Sequence, residues 1–529
     1  MSRVASIDPF TLGTWLASDG ELALLDVREA GEFAAGHALF ASSLPLGRLE
    51  ARIAALVPNP ECRVVFMDDG ASGRAARAAE IAGALGYRNI SVLDGGTAAW
   101  ADAGRELFEG VFVPSKAFGE MVEEAFHVPH IDAHELRAWQ EQGRPVLLLD
   151  GRPLDEHRRM NIPGSVCLPN GELAYRLGEV LPPPDVPIVV HCAGRTRSII
   201  GAQILRDLGV PNPVFALRNG TQGWTLAGLT LEHGSSRMAQ AAPSAQARLT
   251  MRGQARALAQ TWGVPLVDEN TLAAWTGSTE RTTYCLDVRS QPEFAAGHIA
   301  GFVHAPGGQL VQSTDEWAAV RGARIVLADD TGLRAVVVAR WLRLMGWECV
   351  VLDADADRWP TLSVPRFAVA VPSAPPDAAR PIPGSAFMID TRSSMAHRAG
   401  HPEGARWLLR WQLPEATAGI GRDRPVVLVG DDEALLGVFA QELRDIGFAD
   451  IGALRGGAES WADAGLALET TPMTPSDGRA LDFVFFTHDR HSGNLDAARA
   501  YLAWETGLVA RLSPDERSQF RLPDHQAER

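Results

Sequence analysis

Leu25-Asp26-Val27-Arg28, followed by Glu32-Phe33-Ala34-Ala35-Gly36-His37, returns at identical spacing as Leu286-Asp287-Val288-Arg289 and Glu293-Phe294-Ala295-Ala296-Gly297-His298. A looser copy is Leu149-Asp150-Gly151-Arg152 with Asn161-Ile162-Pro163-Gly164 downstream. A fourth is Ile389-Asp390-Thr391-Arg392 with Gly400-His401-Pro402-Glu403-Gly404. Each copy has a second apolar run: Val64 to Met67, Ile188 to His191, Ile325 to Ala328 and Val426 to Val429. Each closes on a third short run and a tryptophan, Trp100, Trp224, Trp359 or Trp461, and Gly96, Gly220 and Gly457 precede three of these by four positions. Self-similarity on this scale means one supersecondary unit used four times.

Between the landmarks, β-type runs alternate with amphipathic helical ones; Ala75 to Leu85 has helical spacing and Gly86 stops it. Alternation of this kind over roughly 100 residues predicts a small α/β domain with a mostly parallel sheet flanked by helices. The expected architecture is four tandem domains over residues 1–110, 125–235, 261–365 and 378–470, a linker at 236–260, and a C-terminal helical tail at 471–529. Ser235 to Ala245 is small and polar, and Pro372-Ser373-Ala374-Pro375-Pro376 is proline-rich. These breaks imply that neighbours pair, the first copy with the second and the third with the fourth. In the tail, Leu495 to Leu508 has the pattern of an amphipathic helix bearing Tyr501 and Trp504.

A chain of 529 residues is too long for a single core. Its net charge of −16 argues against nucleic acid or an anionic membrane as the main partner. Five cysteines without a Cys-x-x-Cys pair fit a reducing compartment and no structural zinc site. The first residues lack the apolar core of a signal peptide, and no apolar run reaches membrane-spanning length. A cytoplasmic protein without metal or cofactor is expected.

The chemistry concentrates in Val189-Val190-His191-Cys192-Ala193-Gly194-Arg195-Thr196-Arg197-Ser198. An apolar run ends in a cysteine, a short turn follows, and helical spacing resumes at Ile199. The thiol therefore falls at a strand's carboxyl end and a helix N-terminus, where parallel α/β sheets carry their active residues. Backbone N–H groups and the guanidinium groups of Arg195 and Arg197 there favour an anionic sulfur. A buried core cysteine is the plainer reading of Cys192, and the flanking Gly and Arg residues argue against it. Cys167 sits in an apolar run as a core residue, and Cys62, Cys285 and Cys349 border or lie in β-type runs.

The Asp-x-Arg turn with its downstream Gly-His-x-x-Gly, the strand-end cysteine loop and the Gly-x-x-x-Trp closure together resemble the rhodanese (sulfurtransferase) family, over nearly all the chain except the tail. The resemblance implies that Cys192 attacks the outer sulfur of a sulfane donor such as thiosulfate, carries it as a persulfide, and yields it to a thiophilic acceptor. It also implies that the loop amides of Ala193, Gly194 and Thr196 stabilise the anion. Arg195 and Arg197 would hold the donor, and Arg152 on the neighbouring turn would orient the loop or the donor's charge. The expected partners are a small anionic sulfur donor and a thiol or protein acceptor, with a homodimer as the assembly to test.

Loop length separates two chemistries within this resemblance. Cys192 to Arg197 is a six-residue loop, the sulfur-transferring form, whereas Cdc25-like phosphatases carry one residue more to fit phosphate. Two other readings stand beside sulfur transfer: a Cdc25-like phosphatase or arsenate reductase, and a non-catalytic sulfur carrier or scaffold. Counting back from Arg74 and Arg334 puts Asp69 and Asp329 at the cysteine's place, and the fourth copy has Gly430-Asp431 there. These copies are expected to be silent, with Arg28, Arg289 and Arg392 serving as structural braces. The second copy replaces Gly-His by Met160-Asn161, which hints at a donor other than thiosulfate.

Overall fold

The computed structural model describes residues 4–523 apart from positions 379, 381, 464 and 492. In the domain that carries Cys192, the run Ile188–His191 is a fully buried central strand. Its three β-branched residues suit a strand covered on both faces. Parallel partners flank it, Leu147–Asp150 on one side and Val214–Leu217 on the other. His130–Ile131 and Val166–Cys167 complete five parallel strands. Trp224 sits in the core beside Ile131, Leu136, Ile162, Val189 and Leu217.

The third domain repeats this strand order with Leu266–Val267, Glu348–Leu352, Arg324–Ala328, Thr283–Asp287 and Val303–His304. The first repeats it with Ala5–Ile7, Asn89–Leu93, Arg63–Met67, Leu22–Asp26 and Ser42–Ser43. In the fourth, Ile451–Leu454, Val426–Val429, Phe387–Asp390 and Arg406–Trp407 keep the order, and the first strand shrinks to a bridge between Asp377 and Ala453.

Register fixes the equivalences. The Asp of each Asp-x-Arg turn pairs across the sheet with the last residue of the next central strand: Asp150 with His191, Asp287 with Ala328, Asp26 with Met67, and Asp390 with Val429. The residues that leave those strands are Cys192, Asp329, Asp68 and Gly430. Asp68, and not Asp69, is therefore the first domain's counterpart of the cysteine. Counting back from Arg74 misplaced it because that loop is one residue longer.

The copies do not associate as sequence neighbours. One compact unit is built mainly of residues 22–111 and 367–485, and the other of residues 112–366 and the segment from 486 onward. The second domain thus packs with the third, and the first with the fourth. Both pairs use the turn after the third strand. Arg410, in the fourth domain's turn, bonds the Leu46 carbonyl and the buried Glu50 carboxylate at 3.2 and 2.7 Å. In the other unit a Cβ built on Gly171 would lie 2.5 Å from the Gly308 nitrogen, so these backbones meet only because both residues are glycine. Glu172 there reaches Arg334 of the third domain at 3.1 Å.

Two segments differ from their expected form. The linker at 236–260 contains most of an 18-residue helix, Ala245–Trp262, capped by Ser244 and packed on the third domain. The stretch between the first two domains forms the helix Val113–Phe126. Its apolar positions Val113, Ala117, Phe118, Met121 and Val122 carry helical periodicity that the sequence reading passed over. The tail divides between the units, and its helix Leu495–Arg511 belongs with the Cys192 domain. Residues 524–529 lie outside the described residues.

Candidate active site

Cys192 stands at the end of Ile188–His191 and four positions before the 12-residue helix Thr196–Asp207. Its carbonyl accepts the Thr221 amide at 2.9 Å, and the Ala193 carbonyl accepts the Gln222 amide and side-chain amide, both at 3.1 Å. A Cβ on Gly220 would lie 2.2 Å from the Cys192 oxygen, so the Gly220–Leu226 helix approaches the loop only because it begins with glycine. This accounts for the glycine four residues before the tryptophan. Ser198 Oγ lies 3.7 Å from Cys192 Sγ and donates to the Arg195 carbonyl at 2.6 Å.

Neither loop arginine is free. Arg195 is forked onto Glu120 at 2.6 and 2.8 Å and also meets Glu123, both on Val113–Phe126. Arg197 is forked onto Glu156 at 2.6 and 2.8 Å. Burial works against both charges of the second pair, yet mutual attraction outweighs it, so Glu156 titrates below its ordinary range and Arg197 above its own. The pair recurs as Arg74 with Glu32 and Arg334 with Glu293. The fourth domain has lost both members together, with Ala396 at the glutamate's place.

Arg152 is 2% exposed. It binds Asp150 at 2.8 and 2.7 Å and the Met160 carbonyl at 2.6 Å. Arg28, Arg289 and Arg392 make the same bonds with Asp26, Asp287 and Asp390. Arg152 is therefore a structural brace like its three counterparts, and the role of orienting a donor does not fall to it. The Met160-Asn161 departure is equally structural. Asn161 Nδ2 donates to the His157 carbonyl at 3.0 Å, and His37, His298 and His401 each meet the carbonyl four residues earlier in the same way.

Beneath the loop, His191 is fully buried with Nε2 3.9 Å from Asp150 Oδ2, and neither ring nitrogen has a hydrogen-bond partner among the described residues. Burial holds this imidazole down to about 4 against the pull of Asp150. The other thiols suit core roles: burial pushes Cys167 and Cys285 up to about 12 and raises Cys349 as well. Asn170, in the Pro169–Glu172 turn, bonds the Arg197 carbonyl at 2.8 Å, so that turn does reach the loop.

Over the loop lies a residue that the sequence alone does not single out, Glu505. Cys192 is 2% exposed, and Ala193, Gly194, Arg195 and Thr196 are buried with it. The tail helix Leu495–Arg511 covers them, with Tyr501 and Glu505 facing inward and Arg490 stacked 3.7 Å from the Tyr501 ring. Glu505 Oε1 accepts from Thr196 Oγ1 at 2.9 Å and pairs with Lys116 at 3.2 Å. A lone glutamate in an amphipathic helix gives no local signal of such a role. Among the described residues no cluster of His, Cys, Asp or Glu could hold a metal, and no helix is long and apolar enough to cross a membrane.

A four-times-repeated parallel α/β domain with an Asp-x-Arg turn and a strand-end anion loop defines a class that the comparisons name. A family model described as rhodanese-like domain matches residues 14–103, 132–227, 271–361 and 375–464. The chain belongs to the rhodanese family and carries four of its domains. A thiosulfate sulfurtransferase from Pseudomonas aeruginosa, known from its crystal structure, is 39% identical, with a TM-score of 0.88, over 98% of this chain and 99% of that one. An HTH-type transcriptional regulator, Rv0324, of Mycobacterium tuberculosis is 37% identical over 103 residues, which are 19% of this chain and 43% of that protein's length.

Proposed function

We propose that the chain is a sulfurtransferase that moves sulfane sulfur from thiosulfate or a related donor to a thiophilic acceptor through a persulfide on Cys192. The observation that carries this reading is the position of Cys192, at the exit of a central parallel strand, opening a six-residue loop that ends at Arg197, and heading a helix. With thiosulfate, the Cys192 thiolate attacks the outer sulfur, the S–S bond breaks, and sulfite leaves with the electron pair. An acceptor thiol then attacks the outer sulfur of the enzyme persulfide, which regenerates the thiolate and leaves the acceptor as a hydropersulfide. The amides at the N-terminus of Thr196–Asp207 stabilise both anions. The likeness to the Pseudomonas aeruginosa thiosulfate sulfurtransferase supports the reaction class. So does the six-residue loop, the length that the resemblance associates with sulfur transfer.

Mass spectrometry after incubation with thiosulfate tests the reading. The peptide bearing Cys192 should gain the mass of one sulfur atom, and Cys192→Ser should abolish sulfur transfer. An unmodified peptide, full transfer by Cys192→Ser, or Cys192-dependent hydrolysis of an aryl phosphate would overturn it.

A further inference from the structure

The Cys192 loop is covered where the loops of the first and fourth domains are open. In the first domain Gly70, Ala71, Ser72 and Gly73 are exposed, and in the fourth Asp431 and Asp432 are. The cover over Cys192 brings a carboxylate. Glu505 is wholly buried, and one of its oxygens is used by Thr196 and Lys116. The other, Oε2, makes no hydrogen bond among the described residues. It faces the loop: a Cβ built on Gly194 would lie 3.0 Å from it, and 3.9 Å from the Tyr501 ring. Gln222 Oε1, on the helix that holds the Ala193 carbonyl, is likewise buried without a donor.

Charge points the same way. Arg195 and Arg197 are neutralised by Glu120, Glu123 and Glu156, so neither offers a free guanidinium to an anion. Burial raises the Glu505 carboxyl, but Lys116 and Arg490 outweigh it, and the group stays below its ordinary range and ionised. The unsatisfied atoms beside the loop are thus acceptor oxygens, one of them charged. A buried acceptor without a donor is costly, and a substrate that supplies an N–H or ammonium group relieves the cost. The thiosulfate dianion has no hydrogen to offer and meets a like charge.

We propose that Glu505 is a specificity-determining residue of the Cys192 site, and that the sulfur donor it selects is a hydropersulfide bearing an ammonium or N–H group near the sulfur, in preference to thiosulfate. The proposal rests on the sulfurtransferase reading and names the substrate class of that same site. In the step it describes, the Cys192 thiolate attacks the outer sulfur of the donor and the donor's S–S bond breaks. The departing thiolate takes up the proton that the outer sulfur carried. Cys192 is left as a persulfide anion and the donor as a thiol, with atoms and charge conserved.

The test uses the full chain with two donors, cysteine hydropersulfide and thiosulfate, and follows persulfide on Cys192 to obtain kcat and KM for each. In the wild type kcat/KM should favour cysteine hydropersulfide. In Glu505→Gln the ratio between the donors should fall about a hundredfold, carried by KM, since one charged contact is lost for one donor and one repulsion for the other. That substitution leaves Lys116 buried without its partner, so Glu505→Gln/Lys116→Gln, which removes both charges, is measured beside it and should show the same loss. A role confined to holding the helix in place would slow both donors alike and leave the ratio unmoved. The same donor ratio in all three proteins overturns the proposal. Absence of persulfide on Cys192 with either donor in every protein overturns the sulfurtransferase reading and the proposal with it.

Discussion

Asp329 holds in the third domain the place that Cys192 holds in the second, each one residue past the strand position that faces the Asp of the Asp-x-Arg turn. Its carboxylate fills the anion cradle from within. Oδ1 accepts the Thr331 and Gly332 amides at 2.8 and 3.0 Å, and Oδ2 accepts the Ala335 amide at 2.7 Å. Asp68 does the same for Gly70 and Ala75 at 2.7 and 2.9 Å. These two loops thus bind a carboxylate of their own where the second domain carries the thiol. Asp329→Ala should cost about 2–3 kcal/mol in urea denaturation, because buried amides lose a charged acceptor. Sulfur transfer through Cys192 should persist. Unchanged stability would contradict the self-filled cradle.

Asp69 is 40% exposed on its side chain and makes its bonds at the surface, so Asp69→Ala should cost less than Asp68→Ala. A pair of melting curves decides which of the two aspartates is the cysteine's counterpart.

Arg152→Gln should act on the fold. It leaves the Asp150 carboxylate buried with its main partner gone, a change worth about 3–5 kcal/mol. The measurement is the urea midpoint together with the KM for the donor in protein that remains folded. A raised KM at wild-type stability would restore the donor-orienting role.

His191 predicts a pH effect. Its pKa in the folded chain, about 4, lies below the ordinary 6.5, so the unfolded chain binds the proton first as pH falls. This contribution to stability is complete above about 6.5 and drains as pH falls toward 4, to a limit of about 3 kcal/mol. The thermal midpoint of the unit holding Cys192 should drop across that window, and less so in His191→Leu. Equal slopes for the two proteins would count against it.

Arg410 and Glu50 lie 360 positions apart and meet at 2.7 Å with both side chains buried. A double-mutant cycle with Arg410→Ala and Glu50→Ala should give a coupling of about 1.5 kcal/mol or more. Additive effects would mean that the first and fourth domains do not associate through this pair.

The parts legible in the sequence are those with local causes. The Asp-x-Arg turn, the strand ending at His191 and the helix opening at Thr196 each follow from a few adjacent residues, and so does the core status of Cys167. Association of domains was illegible because Glu172 and Arg334, or Glu50 and Arg410, look like any surface charges until the chain brings them together. Proline-rich and small-residue breaks mark where a chain is loose, and carry no information about which domain it then meets. The occupied state of Arg195 was hidden for the same reason, since Glu120 and Glu123 belong to a helix outside the repeat. Asp69 was mistaken for Asp68 because an arginine at a loop's far end is a poorer landmark than the strand at its start.

Thr196 and Glu505 are 309 positions apart, and the bond between them joins the Cys192 loop to a helix made long after it. At ribosomal rates of about 5–20 residues per second, Cys192 is synthesised on the order of tens of seconds before the segment that covers it. Every newborn copy therefore passes through an interval in which its Cys192 loop lacks that cover. The donor selection proposed for Glu505 can begin only once translation has reached the tail.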